Sequence, residues 1–298
     1  MTSLRSGHGA LVLAGGGIAG IAWELGVILG IADAAPDLAA RILQPSTALV
    51  GTSAGSVVAS AIAGGVSLEK LYAEQLGAAA SDDTQTQEDT DLGALFDPVE
   101  FGTAMADAVA GAHTPGDVRR RIGAVALAAK TVDAASRRAV MVARLPVHTW
   151  PERDLLVTAV DAETGERRAF DRTSGVDLID AVGASCAVPG IWPVVEINGR
   201  RYMDGGVHSI ANVDLAAGAD RVLVVLPTGE QTARETFAVP QSELDAVAPA
   251  RVHIVYADTA SVGAFGPNPL DPAVRSASAA AGREQGRRVA GEVERFWD

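Results

Sequence analysis

Short apolar runs closed by glycine recur along the chain. ALVLAG (Ala10–Gly15) and TALVG (Thr47–Gly51) each end on glycine and lead into a helical pattern, and LLVTAV (Leu155–Val160), RVLVVLP (Arg221–Pro227) and RVHIVYA (Arg251–Ala257) follow later. Strands that read as continuous apolar runs are buried on both faces, as in a parallel sheet covered by helices. The pattern predicts helices over Ile18–Ala35, Ser53–Ala63, Leu68–Ala78, Val99–Ala110, Asp117–Ala129 and Asp177–Ala187, with a long one from about Pro272. Two hairpins interrupt this rhythm. LLVTAVDAETGERRAF turns at Glu163-Thr164-Gly165, and INGRRYMDGG turns at Asn198-Gly199. Strands alternating with helices give an α/β class.

One stretch departs from the alternation. Between Lys70 and Arg119 there is no lysine or arginine, yet ten carboxylates fall there, and its centre SDDTQTQEDTD has almost no apolar residue. Such a composition reads as a solvated loop, or as a lid over a site, at about residues 80–97.

At 298 residues the chain can bury a full core, and the expectation is a single domain over 1–298 carrying that insert and the C-terminal helix. Aromatics are only 4% while glycine numbers 32, which suits close helix-on-sheet packing better than a stacking surface. One cysteine, Cys186, rules out an internal disulfide. A net charge of -13 argues against nucleic acid as a partner and against simple attraction to anionic lipid. Leu11–Ala32 is apolar enough to raise the question of a membrane span, but Glu24 and the glycines favour a buried strand-loop-helix. With no cleavage site before the first strand, the expected location is cytoplasmic.

Three glycine-framed segments carry candidate chemistry. The first, Gly15-Gly16-Gly17-Ile18-Ala19-Gly20, fits G-x-G-x-x-G and would suit either a dinucleotide phosphate or the oxyanion of an ester-cleavage transition state. The dinucleotide reading needs a second strand ending in an acid about 20 residues on. Asp33 and Asp37 lie there, in an alanine-rich, proline-interrupted stretch, and the next strand leads to Ser53 instead. The second segment, Gly51-Thr52-Ser53-Ala54-Gly55, fits G-x-S-x-G between a strand and a helix, where a sharp turn projects the serine hydroxyl. Its bland alternative is an N-capping serine in a β-α turn.

A nucleophilic serine needs a base. Of five histidines, His8, His113 and His148 lie in loop-like stretches, His253 sits inside a strand, and only His208, just after Asp204-Gly205-Gly206, has a suggestive neighbourhood. Asp204 itself ends a short strand, and a dry pocket could raise its pKa toward working pH. The alternative is an ordinary Asp-Gly turn.

Taken together, the loop at Gly15–Gly20, GTSAG at Gly51–Gly55 and DGG at Asp204–Gly206 resemble the patatin-like phospholipase family, over roughly residues 9–227. The connectors TAVDAETGERRAF and ASCAVPGIWPVVEINGRRYMDGG resemble the family's as well. The resemblance implies a three-layer α/β/α sandwich with a mainly parallel sheet. It implies hydrolysis of lipid acyl esters by a Ser53–Asp204 dyad through an acyl-serine, with the Gly15, Gly16, Gly17 and Ile18 region as oxyanion hole and Gly20, Gly51, Gly55, Gly205 and Gly206 as motif support. No cofactor or metal is implied. The implied partner is a lipid or acyl-ester substrate, met in transient contact with a membrane surface. The family's loop commonly has a basic residue before its last glycine, where this chain has Ala19. That leaves neutral lipid esters or smaller acyl esters open as substrates. The alternatives are a dinucleotide-binding protein and a catalytically silent member of the fold. Cys186 is expected as a packed residue, and the C-terminal helix, with Arg283, Arg287 and Arg288 against Glu284, Glu292 and Glu294, is expected to dock through its alanines and valines.

Overall fold

The computed structural model describes residues 9–77, 97–235 and 238–298, so the expected insert lies outside the described residues except at Asp97. β1 (Ala10–Leu13) leads into α1 (Gly17–Ala34) and α2 (Pro36–Leu43); β2 (Ala48–Gly51) leads into α3 (Ala54–Ala63) and α4 (Leu68–Gln75). After α5 (Pro98–Val109), α6 (Pro115–Ala128) and α7 (Ala134–Arg144) come β3 (Leu155–Asp161), β4 (Arg167–Phe170), α8 (Leu178–Ser185), β5 (Val195–Ile197) and β6 (Arg200–Asp204). The chain ends with β7 (Arg221–Gly229), α9 (Glu230–Glu235), α10 (Gln241–Val247), β8 (Arg251–Ala257), α11 (Thr259–Phe265) and α12 (Arg275–Trp297).

The strands form one mixed sheet in the order β5-β6-β3-β2-β1-β7-β8, with β4 paired to β3 off this path. β8, β7, β1, β2 and β3 are mutually parallel, whereas β4, β5 and β6 pair antiparallel. Side chains alternate across the sheet. Leu11, Leu13, Leu49, Val157 and Val225 face a core built with α1, α3, α8 and α12, while Val12, Val50, Leu156 and Val224 face a second core with α9 and α10. The result is a three-layer α/β/α sandwich.

Local chemistry accounts for the elements. Pro36 opens α2 at its first turn, where a missing N–H costs nothing, so the proline read from sequence as an interruption is a helix start. The sequence pattern likewise missed α7, whose start is capped by Asp133 accepting from the Ser136 N–H at 2.9 Å. The two hairpin turns form where expected. Asn198 and Gly199 both have positive φ, 52° and 75°. At the other turn, Asp161 Oδ1 accepts from the Glu163 and Thr164 N–H groups at 2.9 Å each.

α12 docks on α1 by backbone, which goes beyond the alanines and valines expected. A Cβ on Gly26 would lie 2.3 Å from the Ala279 carbonyl oxygen, one on Gly30 2.1 Å from that of Arg283, and one on Gly286 2.2 Å from that of Val27. Arg283 and Arg287 both bind Asp33 across this seam, at 2.7 and 2.9 Å, and Trp23 donates to Gln285 at 3.2 Å. By length and apolar composition α1 could cross a membrane, yet most of it is buried here between the sheet and α12. Within it, Glu24 is wholly buried, and burial raises its pKa well above the usual carboxylate value.

Gly30→Ala should therefore push the two helices apart and cost about 1–3 kcal/mol, read as a lowered urea midpoint. An unchanged midpoint would mean that the seam tolerates a methyl group.

Candidate active site

Three strands meet at one place because of how β3 is shared. Leu49–Gly51 of β2 pair with Leu155–Val157, and Tyr202–Asp204 of β6 pair with Asp161–Ala159. β4 pairs along Val157–Val160 and so occupies the opposite edge of β3. β2 and β6 therefore lie on the same edge, run toward each other, and stop on either side of Thr158. The turn after β2 carries Ser53, and the end of β6 carries Asp204.

Close packing dictates the glycines on both sides. A Cβ on Gly51 would meet the Ser56 Cα at 2.5 Å, and one on Gly55 would lie 2.0 Å from the Leu13 carbonyl oxygen. Between them Ser53 is held at φ 51°, ψ -118°, a strained conformation for a residue with a side chain. The strain is held by buried hydrogen bonds. The Ser53 N–H donates to Ser185 Oγ at 2.8 Å, and its carbonyl accepts from Ser56 Oγ at 2.6 Å and from the Cys186 thiol at 3.3 Å. On the other side, a Cβ on Gly205 would fall 2.2 Å from Thr158 Oγ1.

Ser53 and Asp204 are only 8% and 5% exposed, and the Ser53 side chain lies beside the Asp204 carboxyl, where it acts to lower the carboxyl's pKa. Asp204 Oδ1 also accepts from the Gly206 N–H at 2.7 Å. Burial outweighs both of these influences and raises the Asp204 pKa to about 7. The same burial raises the Cys186 thiol to about 11, with Asp204's charge adding to it, so the cysteine is a packed, neutral neighbour.

The glycine loop lies directly against this turn. A Cβ on Gly15 would lie 3.5 Å from the Ser53 Cβ, and one on Gly20 would lie 3.3 Å from the Ala54 Cβ. α1 starts at Gly17 and α3 at Ala54, so two helix N-termini converge on one spot and favour negative charge there. The expectation that Gly15 belongs to the donor set is corrected: its N–H is donated to the Ile210 carbonyl at 2.8 Å. Gly20 closes the first helical bond to Gly16 at 2.9 Å. The N–H groups of Gly16, Gly17 and Ile18 have no acceptor among the described residues.

His208 lies four residues after Asp204, and burial, with the charges of Arg167 and Arg119, lowers its pKa to about 4. His253 is half-buried near Glu292, at 3.9 Å, and packs on Phe296. Asp33, the acid a dinucleotide reading would use, is taken up by Arg283 and Arg287.

Several residues at the site carried no signal in the sequence. Thr158 Oγ1 donates to Thr52 Oγ1 at 2.9 Å, and Thr52 also accepts from Asn212 Nδ2 at 3.0 Å. Asn212, at φ 56°, accepts in turn from Arg167 at 3.2 Å, and Arg167 is fixed by Asp214. This buried chain braces the turn from beneath. Only the tolerance of asparagine for positive φ could have hinted at it.

The patatin-like phospholipase family model matches residues 11–217. No curated protein sequence matches the chain. Among solved structures, VipD from Legionella pneumophila is similar at 15% identity and TM-score 0.45, over 96% of this chain and 67% of that one. The type III effector protein ExoU is similar at 16% identity and TM-score 0.39, over 98% of this chain and 54% of ExoU, so this chain spans about half of ExoU's length.

The strain at residue 53 is testable by itself. Ser53→Gly should be more stable than Ser53→Ala by about 1–3 kcal/mol, since both lose the hydroxyl and only glycine sheds the strain. Equal melting midpoints for the two variants would show that the turn is relaxed.

Proposed function

The chain belongs to the patatin-like phospholipase family, and from that premise we propose that it is a serine acyl hydrolase of lipid carboxylic esters. Ser53 is the nucleophile, Asp204 its base, and the N–H groups of Gly16, Gly17 and Ile18 hold the oxyanion. The observation that carries this reading is the buried Ser53 and Asp204 side by side next to three backbone donors with no acceptor among the described residues.

In the first step Ser53 Oγ attacks the ester carbonyl carbon while its proton passes to Asp204. The carbonyl oxygen becomes the oxyanion, and the two helix N-termini favour that charge. Collapse of the tetrahedral intermediate expels the alcohol, which takes the proton from Asp204 and leaves an acyl-serine. Water then gives a proton to Asp204 and attacks the acyl carbon. When the second intermediate collapses, Ser53 regains its proton and the fatty acid leaves. A base with a pKa of about 7 serves both directions of transfer near neutrality. Burial keeps His208 neutral at that pH, and its Nδ1 has no hydrogen-bond partner among the described residues. Within this reading the chain acts as one domain on a lipid or acyl-ester substrate. The absence of a cation at Ala19 favours a neutral ester over an anionic head group.

Hydrolysis of p-nitrophenyl esters from acetate to palmitate tests this. Ser53→Ala should lose about 10⁴-fold or more in kcat/KM, and Asp204→Asn about 10²- to 10⁴-fold. His208→Ala should stay near wild type, and equal loss in that variant would move the base to His208.

Asp204 also links activity to stability. Its folded pKa lies above the ordinary 3.8, so the neutral form is the one the fold favours, and stability falls as pH rises from 3.8 toward 7. Asp204→Asn should therefore be slower yet more stable than wild type, by a margin larger at about pH 8 than at about pH 4. A margin independent of pH would show that the carboxyl titrates at its ordinary value.

A further inference from the structure

The donors of a helix N-terminus point wherever the first turn is held, so what holds Gly16–Ile18 decides where an anion would sit. Two contacts come from residues beyond the family match, which ends at residue 217: Pro227 of β7 packs on Gly16, where a Cβ would meet its Cγ at 2.3 Å, and a later strap packs on Gly17. The Ala19 N–H donates to the Pro269 carbonyl at 2.9 Å. A Cβ on Gly17 would lie 2.7 Å from Leu270 Cδ2 and 2.9 Å from the Pro269 carbonyl oxygen. The strap that bears these groups is itself fixed. Buried Asn268 accepts from the Leu270 N–H at 2.9 Å, and Asp271 accepts from the Ala273 N–H at 2.8 Å to start the 3₁₀ turn Pro272–Val274. α12 follows at once and is anchored to α1 through the glycine seam.

We infer that Asn268–Asp271 is a positioning clamp for the proposed oxyanion loop, with Leu270 as its contact residue on Gly17. Two consequences follow from the geometry. Gly17 sits at φ 64°, where glycine can flip at little cost, and Leu270 packed on its Cα blocks the flip. The Pro269 carbonyl also occupies the Ala19 donor, so the donors left without an acceptor among the described residues narrow to Gly16, Gly17 and Ile18. Leu270 is only half-buried, so its loss removes little core.

The chemical consequence rests on the acyl hydrolase reading, whereas the clamp itself does not. Full-length wild type, Leu270→Ala, Leu270→Met and Asn268→Ala are compared in three ways: amide hydrogen exchange of the peptide spanning 15–20, kcat and KM on p-nitrophenyl butyrate, and melting midpoint. Leu270→Ala and Asn268→Ala should speed loop exchange by at least about tenfold and lower kcat about 10- to 100-fold. KM and the melting midpoint should stay close to wild type, and Leu270→Met should restore both loop protection and kcat. Unchanged loop exchange in Leu270→Ala overturns the clamp, whatever the enzyme does. Faster exchange with unchanged kcat overturns its positioning role. If wild type itself has no turnover, the hydrolase reading fails, and loop exchange still decides the clamp.

Discussion

The site depends on one edge of β3. Because β4 takes the opposite edge, β2 and β6 must share what remains, and they meet end to end at Thr158. That register sets Ser53 and Asp204 side by side although 150 residues of chain separate their motifs. It also explains why glycine stands at 205, against Thr158, while Gly51 and Gly55 are required by the close approach of Ser56 and Leu13. Each of these positions lies where a backbone passes a second backbone or a hydroxyl too closely for a methyl group. A one-residue slip of β6 would turn Asp204 to the other face of the sheet.

Burial then gives the chemistry its pH. Asp204 is nearly sealed from water, and the cost of desolvation exceeds the benefit of the Gly206 N–H and the neighbouring Ser53 side chain. Its charge is therefore expensive at the end of β6, while the two helix N-termini beside Ser53 favour negative charge, which in the proposed reaction is the one that develops on the substrate. The arrangement penalises the ground-state carboxylate and favours an oxyanion. Strain at Ser53, held by Ser185, Ser56 and Cys186, works in the same direction by fixing the hydroxyl before substrate arrives.

Local features were legible in the sequence. The apolar runs mark the five parallel strands, the Asn198-Gly199 dipeptide marks its turn because both residues need positive φ, and the glycines around Ser53 and Asp204 mark the candidate site. Features set by register or by distant contact were not. Nothing along the chain pairs Thr158 with Thr52, or Ser185 with the Ser53 N–H, since those bonds exist only after β3 and α8 are in place. Gly15 looked like the other loop glycines until Ile210 took its N–H. Gly26, Gly30, Gly282 and Gly286 are spaced four apart on both helices, a pattern that was present to be read. Charge and aliphatic content drew the expectation for α12 elsewhere.

The central claim is that Asp204, ionising near pH 7, activates Ser53. The most direct measurement is the pH dependence of covalent labelling by a fluorophosphonate, followed by intact-protein mass and by mapping of the modified peptide. The account predicts a single adduct on Ser53, with a rate that rises through an apparent pKa of about 7 and a slow, pH-independent rate in Asp204→Asn. An adduct on another residue, or a wild-type rate that does not change across that range, would contradict it.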